Sequence, residues 1–270
     1  MNTILITGAS SGIGRATARH FAQQGWNVVA TMRAPERETE LNTLERVLVV
    51  RLDVEQPETI ERAVSLGIER FGRIDVLLNN AGYAAFGVFE AAEPAQIKRQ
   101  FDVNVFGTMR AVQAILPHFR ANGAGTIINV SSVGGRVAFP LLSLYHASKW
   151  AIEGFSESLY YELGTQKIQV KVVEPGNVST DFTGRSLELL SGESLPSYRD
   201  YAEAVTKKQL DSFQANASAP ERIAETIYEA ANDAGGRFRY LAGDDAAFLM
   251  GARAERTEEE FMGFIAANFR

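Results

Sequence analysis

The sequence predicts an α/β protein with a doubly wound, mostly parallel sheet of seven strands and helices on both faces. Three observations support this prediction: short apolar runs recur along the chain, helical patterns follow most of them, and no repeat or linker-like stretch interrupts the 270 residues. Runs that are apolar throughout are typical of parallel strands covered by helices on both faces. We therefore treat residues 1–270 as one domain.

Six continuously apolar runs are predicted to form the parallel strands, and a seventh run alternates as an edge strand does. The runs are residues 4–6, 28–30, 47–50, 76–78, 127–130, 170–173 and, alternating, 237–241.

Five helices are predicted between and after these strands. Prolines open three of them and a glycine follows each of the five, the usual preference at helix ends. The ranges are 14–24, 57–71, 94–122 with bends expected at Gly107 and Pro117, 143–163 and 220–234. This alternation predicts a Rossmann-type arrangement.

Composition excludes several functions. The formal net charge of -6 argues against a nucleic-acid-binding surface, and the absence of cysteine excludes disulfides and thiolate catalysis. Three scattered histidines, His20, His118 and His146, offer no ligand-spaced pair, so we expect no metal site. No apolar run approaches the roughly 20 residues of a membrane helix, and the N-terminus resembles no targeting segment. A cytoplasmic protein is expected.

A glycine-rich turn joins the first strand to the first helix. Its sequence is Thr7-Gly8-Ala9-Ser10-Ser11-Gly12-Ile13-Gly14. Glycines permit a positive φ and let the backbone approach a pyrophosphate, which then lies at a helix N-terminus. The spacing alone is also compatible with an ordinary tight turn. Its place between a first strand and a first helix favours dinucleotide binding.

This turn resembles the cofactor motif of the compact, single-domain short-chain dehydrogenases/reductases. Three further motifs of that family follow in order, and the resemblance covers about Thr3 to Asp181. They are Asn79-Asn80-Ala81-Gly82, Ser132 placed 13 residues before Tyr145-His146-Ala147-Ser148-Lys149, and Pro175-Gly176 with Thr180 beyond. The stretches around Arg33 and Glu174 are similar to those of hydroxysteroid and retinol dehydrogenases in the family.

The resemblance implies four catalytic residues. Tyr145 and Lys149 are four residues apart and therefore share a helix face. A Tyr-x-x-x-Lys pair on its own is usually only two solvent-exposed side chains. Tyr145 would exchange a proton with the substrate oxygen, and Lys149 would lower the pKa of Tyr145 and bind the nicotinamide ribose. Ser132 would stabilise the developing alkoxide. Asn104 would continue a proton path to Lys149 through its backbone and water.

The end of the second strand favours NADP(H) over NAD(H). Neither Thr31 nor Met32 is the acid that would accept from a ribose 2′-hydroxyl, whereas Arg33, helped by Ser10, suits a 2′-phosphate. The alternative is that Arg33 is only a solvent-exposed side chain of a charged loop and binds no phosphate. The resemblance adds other cofactor contacts: Asp53 and Val54 at the adenine, Asn80, Ala81 and Gly82 at the ribose, and Pro175, Gly176, Val178 and Thr180 near the carboxamide.

These residues predict an NADP(H)-dependent oxidoreductase that interconverts a carbonyl and a secondary alcohol. A Ser-His-Asp hydrolase built on Ser132 and His146 is rejected, because the sequence lacks Gly-x-Ser-x-Gly and His146 lies on a different helix face from Tyr145. A non-catalytic NADP(H)-binding sensor is the remaining alternative. It has no reason to retain all four catalytic positions.

A substrate lid is expected at 182–216 and a closing segment at 246–270. The lid is rich in apolar residues, which predicts a helical flap over a hydrophobic substrate. Thr257 and Glu260 have the spacing of a capping box before Phe261. Further apolar walls are predicted from Tyr83, Phe86, Phe139, Leu141 and Leu142. A homodimer or homotetramer is expected through the helices 94–122 and 143–163, with Trp150, Phe155, Tyr160 and Tyr161 as candidate contacts.

Overall fold

The computed structural model describes residues 1–180, 186–192 and 195–269, apart from the side chain of Gln214. The strands are β1 (Thr3–Ile6), β2 (Asn27–Met32), β3 (Val47–Arg51), β4 (Val76–Asn79), β5 (Ala84–Phe86), β6 (Gly125–Val130), β7 (Ile168–Pro175), β8 (Leu187–Leu189) and β9 (Arg239–Ala242). The helices are α1 (Gly12–Gln23), α2 (Pro57–Phe71), α3 (Pro94–Phe101), α4 (Gly107–Asn122), α5 (Ser143–Gly164), α6 (Arg199–Asn216), α7 (Pro220–Asn232), α8 (Asp244–Ala254) and α9 (Glu258–Asn268).

The predicted seven-stranded sheet is confirmed. Its order is β3-β2-β1-β4-β6-β7-β9, and every pairing in it is parallel. The alternating seventh run forms β9 at the edge, as expected. Because the order reverses direction between β1 and β4, this is the doubly wound arrangement in which ligands bind at the carboxyl ends of the strands.

Two buried layers cover the sheet. On one face Phe21 and Trp26 pack with Tyr240 and Ile227, so α1 and α7 lie together there. On the other face Phe119 is fully buried in a cluster formed with α2, α4 and α5. The continuous apolarity of the strands is explained by these two layers.

The predicted helix 94–122 changes its helix type in the middle, next to the bend expected at Gly107. α3 ends at Phe101, a π-helical turn occupies Asp102–Phe106, and α4 begins at Gly107. Close packing accounts for the glycine, because a Cβ on Gly107 would lie 2.7 Å from the Cβ of Val54. π-turns within helices are frequent at functional sites, and this one carries Asn104.

Among the lid residues that the structure describes, the α-helix lies in the second part. Residues 187–189 form β8, which pairs in parallel with β5, and Leu190 N–H donates to Phe86 O at 2.8 Å. Leu190 is buried against Leu144, which holds this part of the lid in an extended form. α6 forms the predicted helix. Phe182, assigned to the lid from the sequence, lies outside the described residues.

The closing segment begins within α8, which contacts the edge strand β9, and continues into a capped helix. The predicted capping box is present: Glu260 N–H donates to Thr257 Oγ1 at 3.3 Å, and Thr257 N–H donates to Glu260 Oε2 at 2.9 Å. Phe261 is buried with Val133 and Val137, close to Ser132. In the part of the chain that is described, no helix is both long enough and apolar enough to cross a membrane.

Candidate active site

The carboxyl ends of the central strands meet at one edge of the sheet. The register pairs Leu78 with both Ile6 and Ile128, and Val130 with Val173. Residues that directly follow β1, β4, β6 and β7 therefore lie side by side. Among them are the predicted site residues Gly8, Asn80, Ser132 and Gly176.

The glycine turn needs its glycines for backbone reasons. Gly8 has φ +72° and Gly12 has φ +51°, a left-handed conformation that other residues rarely adopt. A Cβ on Gly14 would collide with the Gly8 carbonyl oxygen and lie 2.6 Å from Asn80 Nδ2. A Cβ on Gly12 would lie 3.1 Å from Thr180 Cγ2, so the turn and the predicted carboxamide contact are neighbours.

Asn80 joins the glycine turn to the end of β4. Its side-chain Nδ2 donates to Thr7 O at 3.0 Å and to Gly8 O at 3.1 Å, and its backbone N–H donates to Thr7 Oγ1. Ala81 N–H donates to the same Oγ1 at 3.0 Å. Asn79 points into the sheet instead, where Nδ2 donates to Asn129 Oδ1. The sequence predicted Asn80 only as a cofactor contact, so this structural function of its side chain was missed.

The close packing at Gly14 leads to a prediction. Gly14→Ala is expected to destabilise the protein by about 1–3 kcal/mol, because the methyl group overpacks the turn. Thermal unfolding and NADPH binding together measure this effect, and both should be impaired.

Gly154→Ala is the matched control. Gly154 is an exposed glycine in α5, and no atom lies within 4 Å of the place that a Cβ would take there. Alanine at this position should therefore raise stability by up to about 1 kcal/mol. Equal behaviour of the two variants would contradict the role assigned to Gly14.

Tyr145, Ser132 and Lys149 come together at the end of β6. Tyr145 hydrogen-bonds to Ser132, and Ser132 Oγ accepts from Gly134 N–H at 3.0 Å. Lys149 is buried, with Nζ 5.8 Å from the centre of the Tyr145 ring. The same Nζ donates to Val130 O at 2.9 Å. The predicted i, i+4 geometry on one helix face is therefore present.

The pKa of Tyr145 differs from the expectation. Burial raises the pKa of Tyr145, and its hydrogen bond with Ser132 lowers it by a smaller amount. The Nζ of Lys149 donates to Val130 O and lies over the Tyr145 ring, 5.8 Å from its centre. At neutral pH Tyr145 is therefore a phenol, which is the proton-donating form.

The pKa of Lys149 is lowered to about 8. Burial is the larger cause, and the negative charge of Glu153, one turn further along α5, partly opposes it. Lys149 is accordingly still an ammonium group at neutral pH, held at the end of β6 by its hydrogen bond to Val130 O. A Cβ on Gly82 would lie 3.8 Å from Lys149 Nζ, which places the end of the Asn-Asn-Ala-Gly motif beside it.

Asn104 anchors the π-helical turn to this group. Its Oδ1 accepts from Tyr83 N–H at 3.0 Å, and its Nδ2 donates to Tyr83 O at 2.9 Å and to Ser148 Oγ at 3.0 Å. Ser148 Oγ donates in turn to Tyr145 O at 2.7 Å. The side chain thus ties three elements together. The proton path through its backbone stays a prediction.

Arg33 lies at the end of β2, exposed, beside the glycine turn. Ala9 N–H donates to Thr31 O at 2.8 Å, which sets the turn against this strand end. Within the described residues Arg33 makes no hydrogen bond or ion pair. In the charged loop that follows, Glu38 is buried and forms an ion pair with Arg15 and not with Arg33.

The remaining predicted contacts surround the same edge. Asp53 and Val54 follow β3, with Asp53 Oδ1 accepting from Glu55 N–H at 3.1 Å. Thr180 N–H donates to Val178 O at 2.8 Å in the turn after β7.

Asp245 of α8 contacts this turn, and sequence reasoning missed it. Its Oδ2 accepts from Asn177 N–H at 2.6 Å, and a Cβ on Gly176 would collide with its Oδ1. An acid in the first turn of α8 was the available signal, but only the fold brings that helix against the end of β7.

Comparison with known proteins decides the family. A family model described as short chain dehydrogenase matches residues 2–189. The chain belongs to the short-chain dehydrogenase family. The resemblance inferred from the four motifs is confirmed, and membership makes this short-chain dehydrogenase an oxidoreductase.

Three curated relatives illustrate the similarity. An uncharacterized oxidoreductase of Schizosaccharomyces pombe is 39% identical over 231 residues, 86% of this chain and 96% of that one. A 3-ketodihydrosphingosine reductase of Bacteroides thetaiotaomicron is 36% identical over 227 residues, 83% and 81% of the two chains. Retinol dehydrogenase 8 of Bos taurus is 39% identical over 203 residues, 72% and 64% of the two chains.

Solved structures share the whole fold. A short-chain dehydrogenase from Streptomyces avermitilis has a TM-score of 0.82 and 32% identity and covers 97% of each chain. One from Burkholderia phymatum in complex with NAD has a TM-score of 0.80 and 27% identity, covering 94% of this chain and 93% of that one. One from Burkholderia cenocepacia in complex with NADP has a TM-score of 0.77 and 25% identity, covering 98% and 97%.

Proposed function

We propose that this short-chain dehydrogenase interconverts a carbonyl group and a secondary alcohol on a hydrophobic substrate, with NADP(H) as its cofactor. The observation that carries the proposal is the convergence of Tyr145, Ser132 and Lys149 beside the glycine turn. A proton donor, a second hydroxyl and an ammonium group together match the needs of hydride transfer to a carbonyl.

The residues present fit a dinucleotide. Gly8, Gly12 and Gly14 permit the tight turn at the N-terminus of α1, where backbone N–H groups favour a pyrophosphate. Related structures hold NAD or NADP. The residues that would hold the cofactor come from three parts of the chain. The glycine turn contributes Ser10, Ser11 and Ile13 besides its glycines. The ends of β3 and β4 contribute Asp53, Val54, Asn80, Ala81 and Gly82, and the catalytic helix and the end of β7 contribute Tyr145, Lys149, Pro175, Gly176, Val178 and Thr180.

When bound, the nicotinamide supplies or accepts the hydride at the substrate carbon. Tyr145 gives its phenolic proton to the substrate oxygen in the reduction direction and takes it back in oxidation. Ser132 donates a hydrogen bond to that oxygen and stabilises its developing charge. Lys149 binds the ribose hydroxyls and keeps a positive charge near the phenol.

The surroundings of Tyr145 favour an apolar substrate. Along the chain, the loop from Ser132 to Tyr145 contains Phe139, Leu141 and Leu142. The lid helix α6 reaches this loop, because Gln209 Nε2 donates to Pro140 O at 2.8 Å. The lid also presents exposed apolar side chains, which are Leu189, Tyr198, Tyr201 and Leu210. Covering them with a hydrophobic ligand would remove apolar surface from water.

The test of the proposal is NADPH consumption with a panel of aldehydes and ketones of increasing apolar size. We expect turnover, with kcat/KM rising with apolar surface. Tight NADPH binding without turnover on any member of the panel would favour the sensor.

Cofactor choice is expected to depend on Arg33. A guanidinium facing a phosphate makes charge-assisted hydrogen bonds worth about 1.5–3 kcal/mol, or roughly a ten- to hundredfold preference for NADP(H). Met32→Asp with Arg33→Ala should remove this preference, chiefly through the KM for the cofactor. The comparison is kcat/KM for NADPH and NADH in both proteins.

Arg37→Ala is the matched control, because it removes an exposed arginine from the same loop without altering the end of β2. Equal or NADH-favouring values in the wild type would show that the NADP(H) assignment is wrong.

We also propose a cytoplasmic homodimer or homotetramer that associates through α4 and α5. Trp150 and Tyr161 are 48% and 68% exposed on α5, and Tyr160 is 37% exposed. Phe155 packs against the core instead, so it does not support this surface.

A further inference from the structure

His146 directly follows Tyr145, and the mechanism gives it no role. It is 5% exposed, and both ring nitrogens have backbone partners. Nδ1 lies 2.8 Å from Gly134 O, and Nε2 accepts from Phe139 N–H at 2.9 Å. Neither nitrogen is therefore directed at Ser132, which is why no hydrolase-like pair forms.

The two partners determine the protonation of the ring. A carbonyl oxygen only accepts, so Nδ1 must carry a proton, and a backbone N–H only donates, so Nε2 must be bare. The one form that satisfies both is the neutral Nδ1–H tautomer. Burial lowers the pKa of His146, in agreement with a neutral ring.

The segment held by His146 contains both a proposed catalytic contact and a proposed substrate wall. Gly134 uses its N–H to donate to Ser132 Oγ at 3.0 Å while its carbonyl accepts from His146. Its lack of a side chain is required, because a Cβ there would lie 2.9 Å from His146 Nδ1. At the other end Phe139 packs its ring 5.5 Å from the imidazole and 6.1 Å from Phe269.

We propose that His146 is a positioning residue that holds the 134–139 segment at two points, setting the Ser132 hydroxyl through Gly134 and the apolar substrate wall through Phe139. This rests on the proposed function, since it assumes that Ser132 and Phe139 meet the substrate. The two ring nitrogens then have separate roles. Nδ1 acts on the chemical step through Gly134, and Nε2 acts on substrate binding through Phe139.

Two substitutions separate these roles. His146→Asn places an amide near the Nδ1 position and retains a donor to Gly134, whereas His146→Gln reaches the Nε2 position and retains an acceptor for Phe139. His146→Gln is expected to lower kcat about two- to tenfold with little change in the KM for the carbonyl substrate, the worth of one hydrogen bond. His146→Asn is expected to raise that KM by a similar factor with kcat retained, and His146→Phe should show both effects.

His118→Gln is the matched control. His118 is also a histidine whose Nε2 accepts from a backbone N–H, that of Ile74 at 3.0 Å, but it lies on α4 away from the site. Its replacement should leave kcat and both KM values unchanged. The proposal would be overturned if all three His146 variants changed kcat and KM in the same way and in proportion to their loss of thermal stability. His146 would then be only a structural residue.

A measurement on the wild-type protein is independent of turnover. Two-bond ¹H–¹⁵N spectra of the full chain labelled on histidine distinguish the tautomers, and the variants assign the three signals. We expect His146 to be the neutral Nδ1–H form at neutral pH, as its two backbone partners require. An Nε2–H tautomer would overturn the proposal even if Tyr145→Phe abolished activity, so the two failures are distinguishable.

Discussion

Tyr145→Phe is expected to lower kcat/KM for carbonyl reduction by about 10²–10⁴-fold, the usual contribution of a positioned acid–base group. The phenol is the group proposed to transfer a proton to the substrate oxygen, and the burial that raises its pKa keeps it protonated at neutral pH. Ser132 retains its hydrogen bond from Gly134 N–H in the variant, so the rest of the site stays assembled. NADPH binding should change little. Initial rates of NADPH oxidation and a separate NADPH titration measure the two quantities.

Tyr161→Phe removes the same hydroxyl from an exposed position of the same helix and should leave both quantities unchanged. Activity of Tyr145→Phe close to that of the wild type would show that another group protonates the substrate. The proposed mechanism would then be wrong, although the family assignment would stand.

Lys149→Met is expected to lower kcat/KM by about 10²-fold or more, because it removes both a cofactor contact and the positive charge beside Tyr145. Methionine fills a similar volume but cannot donate to Val130 O, so a modest loss of stability should accompany the loss of activity. Unlike Tyr145→Phe, this variant should also weaken NADPH binding. The measurement is the Kd for NADPH together with kcat/KM at neutral pH.

The pH dependence follows from the lowered pKa of Lys149. Because that pKa is about 8, below the ordinary value, the ammonium form predominates below about pH 8 and is lost as the pH rises further. NADPH affinity of the wild type should therefore fall on the alkaline side of about pH 8. Lys149→Met has no such group, so this fall should be absent from its profile. An identical alkaline fall in both proteins would assign it to a different residue.

Sequence patterns were sufficient for the sheet, the helix starts at Pro57 and Pro220, and the grouping of the candidate site. Continuous apolarity depends only on burial on both faces, and proline and glycine act on the local backbone, so neighbours far along the chain are not needed. The motif spacing also placed Ser132, Tyr145 and Lys149, because strand ends and helix faces follow from local geometry.

The π-helical turn at Asp102–Phe106 and the strand at Leu187–Leu189 were decided by tertiary packing. Gly107 must approach Val54, and β8 exists only because β5 offers it a partner, so neither feature has a local sequence pattern. Short segments take their conformation from such long-range contacts when local preference is weak.

By itself the sequence determined the fold class, the family and the identity of the candidate catalytic side chains. Only the tertiary structure decided their electrostatic states and their supports. The pKa values of Tyr145 and Lys149 depend on the extent to which burial separates these side chains from water. The tautomer of His146 depends on two backbone groups that the fold brings to its ring. Desolvation and hydrogen-bond partners arise from contacts in space, which residue spacing along the chain does not specify.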